Sequence, residues 1–282
     1  MNISQVGEEQ KKSSTETNKI NFYVIAAIFF VILLFDIANS IEPVDDTKLD
    51  FFEAARAMGF GAVSIFAFAV AKRYWGSQVF GRAYLALGIG YALYFVGDSL
   101  WYVFEIGYQV TNPYPYYPDI GYFGFYPFAI YHLRTNVHYF KRVLEKKQKS
   151  LLIFIPVVAI MTFSFFSFVP IDAPGGIGHL TFHEIPQYDP EVYKEFEVGL
   201  AYIIVTSIML SYVIIGFQVF RHTILGASWG LLLCGLVLEA MADYHYYYFE
   251  IFGDFDRSNP VHGIWMASTI IICYALYKHR TI

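Results

Sequence analysis

Eight apolar runs of about 20 residues each are the feature that most restricts what this chain can form. Only 15% of the residues are charged, whereas a soluble domain has about 25%. A helix of about 20 apolar residues crosses the hydrocarbon core of a bilayer. The sequence therefore predicts an all-α, multi-pass protein of the cell membrane, surrounded by lipid. Its eight transmembrane helices are predicted near residues 20–41, 51–73, 80–107, 120–141, 150–170, 192–220, 224–252 and 261–279.

The basic residues divide unevenly between the two sides of this predicted bundle. All but four of the 19 Lys and Arg residues fall on one side. The four exceptions are Lys48, Arg56, Lys194 and Arg257. Because cytoplasmic loops carry an excess of Lys and Arg, and the number of spans is even, both termini are predicted to be cytoplasmic. Residues 1–18 are polar and predict a disordered tail, and residues 19–282 predict a single membrane domain.

Two segments that lie 145 residues apart share one pattern. Residues 97–105 and 242–250 both contain a small residue, Asp, two further residues, an aromatic residue, two further residues and Phe-Glu. The same offset aligns two upstream glycines with two others: Gly81 with Gly226, and Gly90 with Gly235. We therefore predict two parallel four-helix repeats, 19–145 and 150–282, related by an axis along the membrane normal.

The repeated segments contain acidic residues inside apolar helices, where ionisable groups mark functional sites. On a helix, residues at i, i+3 and i+7 share one face. Two buried carboxyls close together share a proton or hold a cation, and aromatic walls suit positive charge. The alternative is that each acid only holds helices together through hydrogen bonds. The predicted ligand-binding residues are Asp98, Trp101, Glu105, Asp119, Tyr122, Glu239, Asp243, Tyr246, Glu250 and Trp265.

Metal binding is a further hypothesis for the predicted outer loops. A His-x-x-x-His-Glu run has the donor types that bind zinc or copper, although neighbouring glycines argue against a regular helix there. The candidate ligands are His179, His183, Glu184 and His262. Cys234 and Cys273 match no metal spacing, and no cofactor is identified. No basic patch with interleaved aromatic residues is present, so a nucleic-acid partner is not expected.

The first repeated segment and the loop after it resemble a known membrane module. The residues are Gly97-Asp98, Trp101 and Glu105, then Pro113, Pro115, Asp119 and Tyr122, ending in Tyr126-Pro127. They resemble the multi-pass N-terminal sensor region of archaeal and bacterial histidine kinases and diguanylate cyclases. That region contains a weaker second copy of the motif, which Ala242-Asp243 and Trp265 resemble. The chain departs from that region at Tyr116 and Tyr117, and it carries no kinase or cyclase domain. The resemblance implies a sensing role with output through a separate cytoplasmic or membrane signalling partner.

The function predicted from these observations is an integral membrane sensor with an outward-facing pocket for a small cationic or lipid-like ligand. A fainter resemblance is to lysoplasmalogenase-type enzymes, which have eight helices with Gly-Asp in the third and Ser-Asp in the seventh. It implies a lipid hydrolase in which Asp98 and Asp243 act as general acid and base. Parallel repeats also permit transport, although no obviously broken helix lies at the depth of the acids. We expect no enzymatic activity.

Overall fold

The structure is a computed structural model that describes most of the chain. The described residues are 22–23, 26–30, 33, 37, 46–77, 79–108, 116–168, 190–223, 225–251 and 261–281. Among these, the backbone alone is described at 46–53, 105–106, 166–168, 190–195, 248–251 and 281.

All regular secondary structure in these segments is helical, which confirms the predicted all-α class. The residues described at 22–23, 26–30, 33 and 37 are helical, and we call them α1. The others are α2 (Asp46–Arg73), α3 (Phe80–Tyr102), α4 (Tyr117–Phe140), α5 (Lys146–Phe168), α6 (Pro190–Phe220), α7 (Gly226–Ile251) and α8 (Val261–Thr281). A π-helical turn, Val103–Gly107, continues α3. Each helix overlaps one predicted span, although α2 begins at Asp46 rather than at residue 51.

Five helical stretches are long and apolar enough to cross a membrane, as expected for a membrane protein. They are Ala54–Arg73, Phe80–Tyr102, Lys146–Phe165, Phe196–Phe220 and Gly226–Tyr247. The stretch in α5 is only 11% buried, whereas the other four are 44% to 61% buried. Helix α5 therefore turns most of its apolar surface outward. The eight-span topology and the cytoplasmic termini stay predictions.

The packing of the helices repeats along the chain. Helix α3 packs against α4, and α7 packs against α8. Helix α2 packs on α3 and α8, while α6 packs on α7 and α4. Exchanging α2, α3 and α4 with α6, α7 and α8, respectively, converts each of these contacts into another observed contact. The helix pairs therefore repeat, in agreement with the 145-residue offset.

Two glycines that are equivalent by this offset allow the same close approach. A Cβ atom at Gly90 would lie 3.1 Å from the carbonyl oxygen of Phe125 in α4. A Cβ atom at Gly235 would lie 3.2 Å from the carbonyl oxygen of Ser268 in α8. Small residues at such positions let helix backbones pack closely in membranes. Each repeat thus uses one glycine to join its third and fourth helices.

A second close crossing of α3 and α4 lies beside the first acidic segment. A Cβ atom at Gly121 would lie 2.6 Å from the carbonyl oxygen of Leu93 and 2.8 Å from the Cα atom of Gly97. A Cβ atom at Gly97 would in turn lie 2.9 Å from the carbonyl oxygen of Pro118. The two glycines therefore hold the helices together where Tyr122 extends toward α3.

The main hydrophobic core runs between α2, α3 and α4 on one side and α6, α7 and α8 on the other. Its largest fully buried side chains are mostly aromatic. They include Trp229, Tyr84, Tyr91, Tyr126, Tyr202, Phe125 and Phe220. Several of these tyrosines place a hydroxyl group in the core of the helix bundle, where it needs an acceptor.

We predict that Gly121→Ala destabilises the protein by about 1–3 kcal/mol, the usual cost of overpacking, because the added Cβ meets backbone atoms. Gly230→Ala in α7 is the matched control, since a Cβ there meets nothing within 4 Å. Thermal unfolding in detergent, followed by circular dichroism, compares the two variants. Equal melting temperatures for Gly121→Ala and the wild type would contradict the tight crossing.

Candidate functional site

Asp98 in α3 is buried and forms an ion pair with Arg56 of α2. The Nη2 group of Arg56 donates to Asp98 Oδ1 at 3.1 Å, and Nε donates to Oδ2 at 3.3 Å. The hydroxyl group of Tyr122 in α4 also donates to Asp98 Oδ1, at 2.8 Å. Both carboxylate oxygens therefore accept charge-assisted bonds from one guanidinium group, a strong and directional arrangement. The three residues connect α2, α3 and α4.

The Arg56 guanidinium group also lies against two indole rings. Its central carbon is 5.7 Å from the ring centre of Trp101 and 5.0 Å from that of Trp265 in α8. Nη1 of Arg56 lies 3.1 Å from Nδ1 of His262, which is the acceptor because a guanidinium group has only donors. A carboxylate and aromatic faces around one cation form the kind of site that proteins use for cationic groups. We call Arg56, Asp98, Trp101, His262 and Trp265 the guanidinium site.

Asp243 in α7 occupies the equivalent position of the second repeat but has neutral partners. The hydroxyl group of Tyr126 donates to Oδ2 at 2.7 Å, and Nε1 of Trp265 donates to Oδ1 at 3.0 Å. Trp265 therefore bonds to Asp243 through its N–H group and faces Arg56 with its ring. Within the described residues, the two aspartates are linked through Trp265 and Arg56, and each has its own hydrogen-bond partners.

Glu239 lies one helical turn before Asp243 and is fully buried. The hydroxyl group of Tyr91 in α3 donates to Glu239 Oε2 at 2.6 Å, and Ser268 Oγ in α8 donates to the same oxygen at 3.4 Å. The other carboxyl oxygen, Oε1, is buried and has no hydrogen-bond partner among the described residues. Glu239 and Asp243 therefore share one region of the core that holds neutral donors.

Two other predicted site residues have packing or capping contacts. Asp119 caps α4, as its position predicts, because the backbone N–H of Tyr116 donates to Oδ2 at 2.7 Å. The Tyr202 hydroxyl group also donates to Asp119 Oδ1, at 2.8 Å. The ring of Tyr246 lies 5.7 Å from the ring of Trp265, centre to centre. Tyr246 thus borders the second indole of the guanidinium site.

The remaining predicted residues lie wholly or partly outside the described structure. Glu105 is in the π-helical turn and Glu250 is in α7, but their side chains are outside the described part. His179, His183 and Glu184 also lie outside the described residues. Within the described segments, no group of three or more His, Cys, Asp or Glu side chains is arranged to hold a metal ion.

Arg56 is the residue of the guanidinium site that is absent from the residues predicted from the sequence. It lies inside the apolar run 51–73, where an arginine is as costly as an aspartate. That cost is the signal that could have identified it. Tyr91, Tyr126 and Ser268 carry no such signal, because hydroxyl side chains are common in this chain, which has 24 tyrosines.

Comparisons with protein families, curated proteins and solved structures find no match for this chain.

We predict that Arg56→Met destabilises the protein by about 3–5 kcal/mol, because it leaves the Asp98 carboxylate buried without a counter-charge. The double variant Arg56→Met/Asp98→Leu should recover most of the loss, since an apolar pair needs no compensation. Equilibrium unfolding measures both.

The matched control is the exposed ion pair of Lys141 and Glu145. Lys141→Met should change stability little, because exposed pairs contribute little. An Arg56→Met variant as stable as the Lys141→Met variant would contradict the importance of the buried pair.

Proposed function

We propose that this chain is an integral membrane sensor whose ligand is a small organic cation that competes with Arg56 for the guanidinium site. The observation that carries the proposal is the surroundings of the guanidinium group. One carboxylate bonds to it at 3.1 and 3.3 Å, and two indole rings lie within 5.7 Å of its central carbon. These are the contacts that recognise organic cations in aromatic sites. In this protein, the guanidinium group of Arg56 is the cation that occupies the site.

A ligand would have to compete with Arg56 rather than enter an open pocket, because Arg56 and Asp98 are buried. Arg56 is 8% exposed and Asp98 is 3% exposed, so their contact leaves little room for a ligand. A cation that reached Asp98 would have to displace Arg56, and the displaced arginine would no longer hold α2 against α3. A buried ion pair adds little stability compared with a well-packed apolar pair, although removing one partner is costly. A role in switching is among the best-attested uses of such pairs.

The site is also placed where a local change would reach both repeats. Its residues come from α2, α3 and α8, and hydrogen bonds extend it to α4 through Tyr122 and to α7 through Asp243. Release of Arg56 would alter contacts of five helices at once. A separate signalling partner would carry the response, as the resemblance to kinase and cyclase sensor regions implies.

The alternative function, a lipid hydrolase, fits this geometry less well. It would need Asp98 and Asp243 to act together as acid and base on one substrate. Both carboxylate oxygens of Asp98 already accept bonds from the Arg56 guanidinium group, so they are not available to a substrate. Release of product from a panel of ether and ester lipids, lost in Asp98→Asn, would favour the hydrolase over the sensor.

We predict that methylguanidinium binds to Arg56→Ala and restores part of its lost stability. Removal of the internal cation leaves Asp98 with Trp101 and Trp265, and the added cation supplies the missing charge. Thermal unfolding at increasing methylguanidinium chloride measures the effect, with choline chloride at equal ionic strength as a comparison. Tryptophan fluorescence gives a second measurement, because two of the four tryptophans face the guanidinium group.

The control is the double variant Arg56→Ala/Asp98→Asn, which lacks the carboxylate and should lose the rescue. Trp265→Phe added to Arg56→Ala should weaken the rescue without abolishing it. Stabilisation of the single and double variants to the same extent would show a non-specific salt effect and would remove the basis of the proposal. Native mass spectrometry of the wild type beside Asp98→Asn then identifies the natural occupant.

A further inference from the structure

The two repeats differ in the balance of their buried charges. In the first repeat, Asp98 is paired with Arg56. The 145-residue offset places Ala201 of α6 at the position of Arg56 and Glu239 at the position of Tyr94. The second repeat has therefore gained an acid and has no equivalent arginine. Within the described residues, no Lys, Arg or His side chain forms an ion pair or hydrogen bond with Glu239 or Asp243.

The four hydrogen bonds that described residues donate to these two acids all come from neutral groups. They are the hydroxyl groups of Tyr91, Ser268 and Tyr126 and the indole N–H of Trp265. Glu239 is 0% exposed and Asp243 is 3% exposed. Two negative charges one helical turn apart in a low-dielectric core repel each other and lack solvation, so both cannot ionise without added positive charge.

One carboxyl oxygen of Glu239 is in a position to contact an added positive charge. Glu239 Oε1 is buried and has no hydrogen-bond partner among the described residues, while Oε2 accepts from Tyr91 and Ser268. Native structures pair almost all buried polar atoms, so a buried oxygen without a partner calls for an explanation such as an ion or a proton. The nearby oxygen atoms belong to carboxyl and hydroxyl groups, which are the ligands that hard cations prefer.

We propose that Glu239, together with Asp243, binds one small positive charge, a proton or a sodium ion, in the core of the helix bundle. This site adjoins the guanidinium site through Trp265, but it does not depend on the proposed sensor function. It gives the second repeat the positive charge that Arg56 gives the first. The titratable groups that face it are Tyr91 and Tyr94 of α3, Tyr126 of α4, Asp243 and Tyr244 of α7 and Cys273 of α8. The guanidinium group of Arg56 lies on the ring of Trp265, whose N–H group bonds to Asp243.

The test measures how the stability of the purified protein depends on pH and on sodium. Thermal unfolding is recorded from acidic to alkaline pH in sodium chloride and in choline chloride. If a proton occupies the site, the melting temperature falls as the pH rises in both salts, because deprotonation leaves two buried charges. If sodium occupies it, sodium chloride raises the melting temperature relative to choline chloride, most of all at alkaline pH.

Glu239→Gln keeps the shape of the side chain and removes its charge, so it should lose the dependence on pH or sodium. Glu145→Gln, which changes an exposed acid, is the matched control and should retain the wild-type dependence. Persistence of the full dependence in Glu239→Gln would overturn the proposal.

Infrared spectroscopy of the wild type gives a test that does not need the variant to fold. A carboxyl C=O band of a protonated buried acid that shrinks on adding sodium or raising the pH supports the site. Absence of both the band and a sodium effect on stability would overturn it. Neither outcome bears on the methylguanidinium rescue at Arg56, so the two proposals fail separately.

Discussion

The ion pair between Arg56 and Asp98 is the interaction on which the arrangement of the first repeat depends. Each partner alone would be a charge in a low-dielectric interior, and such charges cost several kcal/mol or more. The pair is stable there because both carboxylate oxygens are used and a tyrosine hydroxyl adds a third bond. Helix α2 therefore has a defined rotation and depth against α3, since only one position brings the guanidinium group to the carboxylate.

The second repeat uses the same helices with a different chemistry. Its aspartate accepts bonds from Tyr126 and Trp265, and a glutamate replaces the tyrosine of the first repeat. The partners of these acids come from other helices, including α3 and α4 of the first repeat. Tyr91 and Tyr126 of the first repeat thus donate to carboxyl groups of the second. Tyr202 of the second repeat donates in turn to Asp119 of the first. Such bonds favour association of helices in a membrane, where an unpaired polar group is costly.

The helices and the acidic positions could be predicted from the sequence, because apolar runs and isolated carboxyls are strong signals. The internal offset also predicted that the chain repeats, and the helix pairs do repeat. Gly90 and Gly235 allow the same close approach in each copy. The common helical face proposed for Asp98 and Glu105 assumed a regular helix. A π-helical turn from Val103 to Gly107 changes the rotation per residue before Glu105 is reached. Such a turn has no recognisable sequence pattern.

The partners of the acids could not be predicted, because they are set by packing between distant helices. Arg56 contacts Asp98 only because the glycine crossing of α3 and α4 and the packing of α2 bring three helices together. Tyr91 reaches Glu239 across 148 positions of the chain. Nothing near either residue in the sequence distinguishes this tyrosine from the other tyrosines. The sequence therefore indicates where charge is buried, and the three-dimensional packing decides how it is neutralised.

The sequence separations of these contacts have a consequence for how the protein is made. Synthesis adds about 5–20 residues per second, so Asp98, 42 positions after Arg56, follows within seconds. His262 follows Arg56 by 206 positions and arrives near the end of translation. The acids of α7, by contrast, enter a membrane in which Tyr91 and Tyr126 are already present. Asp98, Trp101, His262 and Trp265 all follow Arg56 in the chain. During synthesis, α2 therefore carries its guanidinium group before these four partners exist.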